Sequence, residues 1–222
     1  VYAQSQMGKP GAKKAEMGGL RDAALKLAKA VTDGKFDDAK KLVLDLRSNG
    51  TGKPQDGVAL ANLFVDKGML TYIQGQKTAR EDYTADPAHA ITKLPLAVLT
   101  NRGTAGGAEI AAAALSDSKR AEVVGERTYG DAAVRRAITL DDGSAVIMSV
   151  AKYYSPSGKA IQDTGVSPGI MVTDFDAAAA AENEDDDAEP APDNQKKTDD
   201  PILKRAVEYL TQGKTQTTAD TS

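Results

Sequence analysis

The sequence predicts an α/β domain, because short strand-like segments alternate with helix-like segments throughout its middle. The chain has 222 residues, which is enough for one core of ordinary size with extensions. Its hydrophobic content of 41% includes no tryptophan and few aromatic residues. We therefore expect a core built from aliphatic side chains and alanine.

The composition excludes several classes of function. A net charge of −4 gives no electrostatic argument for nucleic acid or an anionic membrane surface. The absence of cysteine excludes thiolate metal sites, and a single histidine, His89, excludes a multi-histidine site. His89 lies in a loop-like segment, where we expect it to be solvated. No apolar run approaches the ~20 residues of a membrane span. We expect no metal, cofactor, nucleic acid or membrane span in this chain.

The first part of the chain predicts helices and strands in alternation after a mobile lead-in at residues 1–19. Apolar residues at helical spacing predict the helices, apolar runs rich in β-branched residues predict the strands, and glycines predict the ends of helices. The predicted elements are a helix over Leu20–Thr32 ended by Asp33 and Gly34, a strand over Lys40–Leu46, a loop over Arg47–Gly52, a helix over Val58–Lys67 ended by Gly68, a strand over Leu70–Gln74 and a polar excursion over Lys77–Pro87.

The central stretch, residues 94–130, is where we expect function. Leu94–Thr100 predicts a buried strand, Asn101–Gly107 a glycine-rich turn and Ala108–Leu115 a helix. Glu109 stands in the first turn of that helix, where the helix dipole favours a carboxylate. A second strand follows at Arg120–Gly125. A glycine turn that opens directly into a helix points backbone N–H groups at a ligand or a developing negative charge.

The last third predicts a hairpin, an acidic linker and a final helix. Ala133–Leu140 and Ser144–Tyr154 alternate around Asp142 and Gly143, and Gly165–Val172 predicts a short strand. The core domain is expected to cover residues 20–174. Residues 175–198 are rich in Asp, Glu and Ala, which predicts a disordered solubilising linker. Residues 199–213 predict a helix with Pro201 at its first position, which docks on the core, and residues 214–222 a disordered tail.

Several consecutive motifs give the chain a family resemblance. In order they are LVLDLR (42–47), ALANLFVDKG (59–68), LPLAVLTNRGTA (94–105), AEIAAAAL (108–115), RAEVVGERTYG (120–130) and DDGSAVIMSVAKYYSPSGKAIQDTGVSP (141–168). Together they resemble the C-terminal processing (tail-specific) serine peptidases, a family with a ClpP/crotonase-like α/β core. The resemblance covers about 40–172 and includes the final helix. Such proteins usually carry a PDZ domain ahead of this core, and none is recognisable before Lys40.

The resemblance implies a Ser/Lys dyad, but the matching positions here hold other residues. The family serine stands in a motif like GTASASEI, which places Gly106 at the nucleophile position. The family lysine stands in a motif like FGKG, which places Asp131 at the general base, and the glutamine four residues later becomes Arg135. Glycine offers no nucleophile, and an adjacent arginine favours an ionised Asp131. We therefore expect a domain that does not cleave by the family mechanism.

The oxyanion half of the family site needs only backbone N–H groups. By resemblance it would come from Gly107 and from a glycine of the 47–52 loop, with Gly52 the first choice. The main hypothesis is a pseudo-protease that binds extended polypeptide or C-termini, with Asp131 and Arg135 as an ion pair in the vacated dyad space.

Two alternatives stay open at this point. One is a peptidase that uses a displaced nucleophile: Thr104, or Ser155 or Ser157, with Lys152 and Lys159 as the nearest bases in sequence. The Thr104 hydroxyl can equally cap the following helix. The other is crotonase-like acyl chemistry, with an oxyanion nest at Gly106 and Gly107 and Asp131 as acid/base. A dinucleotide site is disfavoured because GTAGG is not G-x-G-x-x-G.

The resemblance also implies a cellular location. Proteins of this kind are exported, periplasmic or membrane-associated in bacteria, and the present chain has no recognisable export signal of its own.

Overall fold

The computed structural model describes residues 20–35, 39–173 and 200–212. The helices are α1 (Leu20–Thr32), α2 (Pro54–Asn62), α3 (Gly107–Asp117) and α4 (Pro201–Gln212), with a 3-10 turn at Pro87–His89. The strands are β1 (Leu42–Asp45), β2 (Met69–Gln74), β3 (Glu81–Thr84), β4 (Leu96–Thr100), β5 (Ala121–Gly125), β6 (Ala133–Thr139), β7 (Ala145–Tyr154) and β8 (Ile170–Met171). The expectations for residues 1–19, 175–198 and 214–222 lie outside the described residues.

The strands form two sheets of different kinds. A parallel sheet has the order β1-β4-β5-β8, and an antiparallel sheet has the order β3-β2-β7-β6. The parallel sheet is covered on both faces, and every residue of its central strand β4 is buried. A parallel sheet buried on both faces needs continuous apolar strands, which is why LPLAVLT was recognisable in the sequence. The predicted α/β class is confirmed.

Alternate residues of the parallel sheet face two hydrophobic cores. Leu44, Val98 and Val123 face the larger core, which they share with α1, α2, α3 and the antiparallel sheet. The opposite face packs through Ala97, Leu99 and Val124 against Ile202, Ala206 and Leu210 of α4. The final helix therefore docks on the core, as the sequence predicted.

The ion pairs of Arg47 hold α4 in place. The Arg47 guanidinium bonds Asp45 at the end of β1 and Asp200 just before α4, at 2.7 and 2.8 Å. Asp200 also accepts a hydrogen bond from the Leu203 N–H, so it caps the helix whose first residue is Pro201. Both ends of this contact lie at the carboxyl end of the parallel strands.

The structure corrects two element predictions. The second helix begins at Pro54 and ends at Asn62, whereas 58–67 was predicted. Pro54 stands at the first helical position and Asp56 bonds back to the Lys53 N–H, which sets the earlier start. Gly68, with φ +92°, leads into β2 and does not cap the helix.

The second correction concerns residues 77–87, where the polar excursion contains strand β3. Its residues are polar because β3 is a sheet edge with mostly exposed side chains. The remaining elements match their predictions to within a few residues at each end. Within the described residues, no helix combines the length and apolar character that crossing a bilayer requires.

Candidate functional site

Three segments meet at the amino end of α3. The Ala105 N–H donates to the Asn49 carbonyl at 2.9 Å, which joins the 47–52 loop to the turn before α3. The Tyr129 N–H donates to the Thr104 carbonyl at 2.9 Å, which joins the segment after β5 to the same turn. Parallel strands bring these loops together because each follows the carboxyl end of β1, β4 or β5.

Gly106 is the residue that precedes α3, and its backbone adopts φ +62° and ψ −125°. This is a left-handed conformation that side-chain-bearing residues adopt only under strain, as the serine of a strand-turn-helix nucleophile elbow does. A Cβ placed on Gly106 would lie 3.9 Å from the Asp131 carbonyl oxygen, so the space is open. The structure thus brings the two sequence positions, Gly106 and Asp131, side by side.

Asp131, whose backbone lies beside Gly106, forms an ion pair with Arg135 at the surface. The Arg135 Nη2 donates to the Asp131 Oδ1, and both side chains are partly exposed. This hydrogen bond and the charge of Asp131 raise the pKa of Arg135 above its ordinary value. The guanidinium therefore stays protonated, and Asp131 keeps a permanent cationic partner.

Glu109 organises the site and was not recognised as a site residue from the sequence. Its carboxylate is fully buried at the start of α3. It accepts hydrogen bonds from the backbone N–H groups of Gly106 at 3.1 Å, Gly130 at 2.6 Å and Asp131 at 2.7 Å, and from the Thr128 hydroxyl. The available signal was a glutamate three residues after the glycine that precedes the helix, which is the spacing of a capping box.

The oxyanion candidates, Gly107 and Gly52, lie on opposite sides of a close backbone contact. As the first residue of α3, Gly107 has an N–H with no partner inside the helix. A Cβ on Gly107 would lie 2.7 Å from the carbonyl oxygen of Lys53, the residue after Gly52. Gly52 itself has φ +115° and faces Leu20 of α1. The loop and the helix start are thus in contact.

Gly57 allows this contact. A Cβ on Gly57 would lie only 1.9 Å from the Gly107 carbonyl oxygen. The amino ends of α2 and α3 therefore cross backbone against backbone, and a side chain at either glycine would force them apart.

Thr104 is a structural residue in this fold. It is fully buried, and its hydroxyl donates to the Leu46 carbonyl at 2.9 Å while accepting from the Asn101 N–H at 3.1 Å. These bonds tie the turn to the end of β1. The sequence suggested that this hydroxyl could cap α3, but its hydrogen bonds go to Leu46 and Asn101 instead.

Ser155 and Ser157 lie far from Gly106. The Ser157 N–H donates to Asp117 at the carboxyl end of α3, at 2.9 Å, and the two serine hydroxyls lie 3.0 Å apart. Burial raises the pKa of Asp117, but hydrogen bonds from Ser155 and Ser157 outweigh it and leave the pKa below its ordinary value. The length of α3, roughly 15 Å at 1.5 Å per residue, separates this cluster from the glycine turn.

The two lysines considered as bases do not fit that role. Lys152 donates to Asp163 at 2.9 Å, which raises the pKa of the lysine, whereas a general base needs a lowered one. Lys159 contributes to the electrostatics of Asp117, at the far end of α3.

His89 is exposed beside Asp86, as expected. The described residues contain no group of His, Asp and Glu side chains suited to a metal ion.

Two cavities lie at the other end of the parallel sheet. They have volumes of about 500 and 580 Å³ and share Lys119 and Arg120. Arg120 donates to the carbonyls of Phe64, Thr92 and Leu94, so it holds backbone segments together. The glycine turn is not part of either cavity.

This combination of fold and helix-opening glycine turn agrees with the comparisons with known proteins. A model of peptidase family S41 matches residues 13–172, and the chain belongs to that family. The chain is 40% identical over 169 residues to the "C-terminal processing peptidase, chloroplastic" of Tetradesmus obliquus, covering 73% of this chain and 36% of that protein. It is 36% identical over 148 residues to the "Carboxy-terminal processing protease CtpA" of Bacillus subtilis, covering 66% and 32%.

A solved structure agrees with this assignment. The structure titled "Photosystem II D1 C-terminal processing protease" matches with a TM-score of 0.63 and 39% identity, over 68% of this chain and 39% of that chain. The resemblance and the fold expected from the sequence are confirmed. The chain spans about a third of the length of these curated relatives.

Proposed function

We propose that this S41 domain binds extended polypeptides, including C-termini, and does not cleave them. The observation that carries the proposal is Gly106, which places a residue without a side chain on the turn that opens α3. Nucleophilic catalysis needs an oxygen or sulfur nucleophile within reach of a base. Gly106 offers no such atom, and the hydroxyl of Thr104 in the same turn is buried and bonded to the Leu46 carbonyl.

The second support is the residue that stands at the family's base position. Asp131 is paired with Arg135, whose pKa is raised by that contact. The Asp131 side chain is engaged with Arg135 and not with a reacting group, which also weighs against the crotonase-like alternative. The Asp131 backbone lies beside Gly106, and its side chain is engaged with Arg135.

Binding of a peptide carbonyl needs only backbone N–H groups, so it does not depend on the side chains at positions 106, 131 and 135. The Gly107 N–H at the start of α3, together with an N–H of Gly52 or its neighbours in the loop, can donate hydrogen bonds to a peptide carbonyl oxygen. Glu109 keeps this arrangement rigid through its four hydrogen bonds. Binding of extended chain therefore survives in a domain that has lost its nucleophile.

The test is a cleavage assay on casein with the unaltered chain and two triple variants. The restoration variant is Gly106→Ser, Asp131→Lys and Arg135→Gln. Its matched control is Gly106→Ala, Asp131→Lys and Arg135→Gln, which carries the same backbone strain without the hydroxyl. We expect no cleavage by the unaltered chain or the control, and measurable cleavage by the restoration variant.

Two results would overturn the proposal. Cleavage by the unaltered chain would do so, and Thr104→Val beside Thr104→Ser would then show whether that hydroxyl is the nucleophile. Failure of unstructured peptides to bind the unaltered chain, measured by fluorescence anisotropy, would remove the binding half of the proposal.

The cellular location and the PDZ domain that the family usually carries belong to the same proposal. Relatives carry the names of chloroplastic and bacterial processing proteases. We place this protein outside the cytoplasm, in a periplasmic or membrane-associated setting, with a PDZ domain elsewhere in the full-length protein. Fractionation of cells that express the full-length gene tests the location.

A further inference from the structure

Three arginines follow three neighbouring strands of the parallel sheet. Arg47 comes after β1, Arg102 after β4 and Arg127 after β5, and β4 lies between the other two strands. The three residues therefore lie along one edge, the edge at which α3 begins. Ligands of open α/β sheets bind at this carboxyl edge.

Arg47 is not available to a ligand. Its guanidinium bonds Asp45 and Asp200 at 2.7 and 2.8 Å, and its side chain is mostly buried. The two carboxylates balance the positive charge of Arg47 within the fold.

Arg102 and Arg127 are available. The Arg102 side chain is 82% exposed, and its ion-pair partner among the described residues, Glu126, is 3.8 Å away. Glu126 is itself only 9% exposed, so its carboxylate lies beneath the surface. Arg127 is exposed and forms no ion pair with any residue of the described part. Arg102 and Arg127 therefore place two exposed guanidinium groups at this edge.

Tyr129 adds an aromatic surface to the same patch. It is 73% exposed, although its backbone is fixed by the hydrogen bond to the Thr104 carbonyl. It lies between Arg127 and Asp131 in sequence, next to the turn that contains Gly106. An ordered backbone with an exposed aromatic ring is typical of binding surfaces, where tyrosine offers contact area at low entropic cost.

We propose that Arg102, Arg127 and Tyr129 select extended polypeptides that carry acidic side chains. The inference rests on the proposed polypeptide binding and specifies the chemistry of the bound chain. Two exposed guanidinium groups on neighbouring loops can give charge-assisted, bidentate hydrogen bonds to carboxylates. A nucleic acid is disfavoured because the whole chain carries a net charge of −4.

The experiment compares three unstructured peptides with the same dye and the same sequence, except that the variable positions hold Glu, Gln or Lys. Binding is measured by fluorescence anisotropy at about 20 mM and about 150 mM salt, since screening weakens exposed charge contacts. We expect the Glu peptide to bind about tenfold tighter than the Gln peptide at low salt, with the difference shrinking at high salt.

The variants locate the effect. Arg102→Gln with Arg127→Gln should weaken binding of the Glu peptide to the level of the Gln peptide, which removes the preference for Glu. The matched control is Arg136→Gln with Arg205→Gln, which removes the same charge from exposed positions on β6 and α4. This control should keep the preference.

Each remaining outcome decides the question. Preference that persists in the Arg102/Arg127 variant, equal loss in the control, or tighter binding of a single-stranded oligonucleotide would overturn the inference. Equal binding of Glu and Gln peptides would overturn it while leaving the proposed function intact. Absence of binding by all peptides would contradict both.

Discussion

The most consequential single residue in the site is Glu109. Its buried carboxylate accepts hydrogen bonds from donors on both sides of the site, the turn before α3 and the segment after β5. A buried carboxylate is tolerated only when such donors satisfy it. The same bonds position the Gly106 and Asp131 backbones relative to each other.

Glu109→Gln should lower the free energy of unfolding by about 3 kcal/mol. The amide keeps one acceptor oxygen but turns an NH₂ group toward N–H donors, which leaves donors unpaired inside the protein. The measurement is urea denaturation followed by circular dichroism. Glu208→Gln, the same change at a half-exposed position of α4, should cost less than about 0.5 kcal/mol. A loss for Glu109→Gln no larger than that of the control would contradict this role.

The sequence predicted which residues stand at the site positions, but it did not predict the hydrogen-bond partners of Glu109. The positions of Gly106, Asp131 and Arg135 follow from motif spacing, and the pairing of the last two was expected. The role of Glu109 was not, because its donors on Thr128, Gly130 and Asp131 come from a segment about twenty residues away. No local pattern records such a contact.

At the scale of elements, the amino ends of α2 and α3 set the geometry of the glycine turn. Their closest point joins Gly57 to the Gly107 carbonyl. This crossing was not predicted, because the predicted start of α2 lay four residues late, after Gly57. Pro54 and Asp56 were readable start signals, but the apolar run at 58–67 outweighed them.

Gly57→Ala should destabilise the fold by about 1–3 kcal/mol, because a Cβ there overlaps backbone and cannot be relieved by a rotamer change. Peptide binding should weaken in parallel, since the loop before α2 would move away from Gly107. Gly50→Ala is the matched control, because its Cβ would find ordinary contact distances of 3.6 Å or more. Equal stability of the two variants, in thermal and urea denaturation, would show that the helices do not need this close approach.

The docking of α4 should depend on pH through Asp200. Burial raises the pKa of Asp200, but hydrogen bonds from Arg47 and from backbone N–H groups outweigh it and leave the pKa below its ordinary value. A lowered pKa in the folded state stabilises the protein above the unfolded-state pKa of about 3.9, and this contribution disappears as the pH falls through the folded-state pKa.

Asp200→Asn isolates this effect. The stability difference between the unaltered chain and the variant should be constant near neutral pH and should shrink below about pH 4. Urea denaturation at a series of pH values measures it, and Asp33→Asn, at the exposed pair with Lys29, serves as the control. A difference that stays the same from neutral to acid pH would exclude the ion pair as its source.

At the scale of the whole molecule, the β6–β7 hairpin differs from the other described elements in how much of it is exposed to solvent. Beyond the register shift at Val134/Arg135, residues 135–149 are exposed along nearly all of both strands. This arm presents the apolar side chains Ile138, Leu140, Val146, Ile147 and Met148 to solvent. The alternating pattern around Asp142 and Gly143 predicted the hairpin correctly. It could not predict this exposure, because alternation shows which residues share a face and not what covers it.

Ile147→Thr should change the free energy of unfolding by less than about 0.5 kcal/mol, since 71% of the side chain is already exposed. The same change at Ile161, which is 2% exposed in the main core, should cost about 2–3 kcal/mol. Denaturation curves of both variants provide the comparison. A large loss for Ile147→Thr would mean that the arm is packed against part of the protein in solution.

The order of the parallel sheet also constrains how the protein emerges during synthesis. Leu42 pairs with Leu96, and Val124 pairs with Ile170, so neither edge of the sheet can close until long stretches of later sequence have been made. The second hydrophobic face waits longer still, until α4 leaves the ribosome. The nascent chain therefore carries exposed apolar strands for most of its translation, and this S41 domain should depend on chaperones that hold such strands until the last helix arrives.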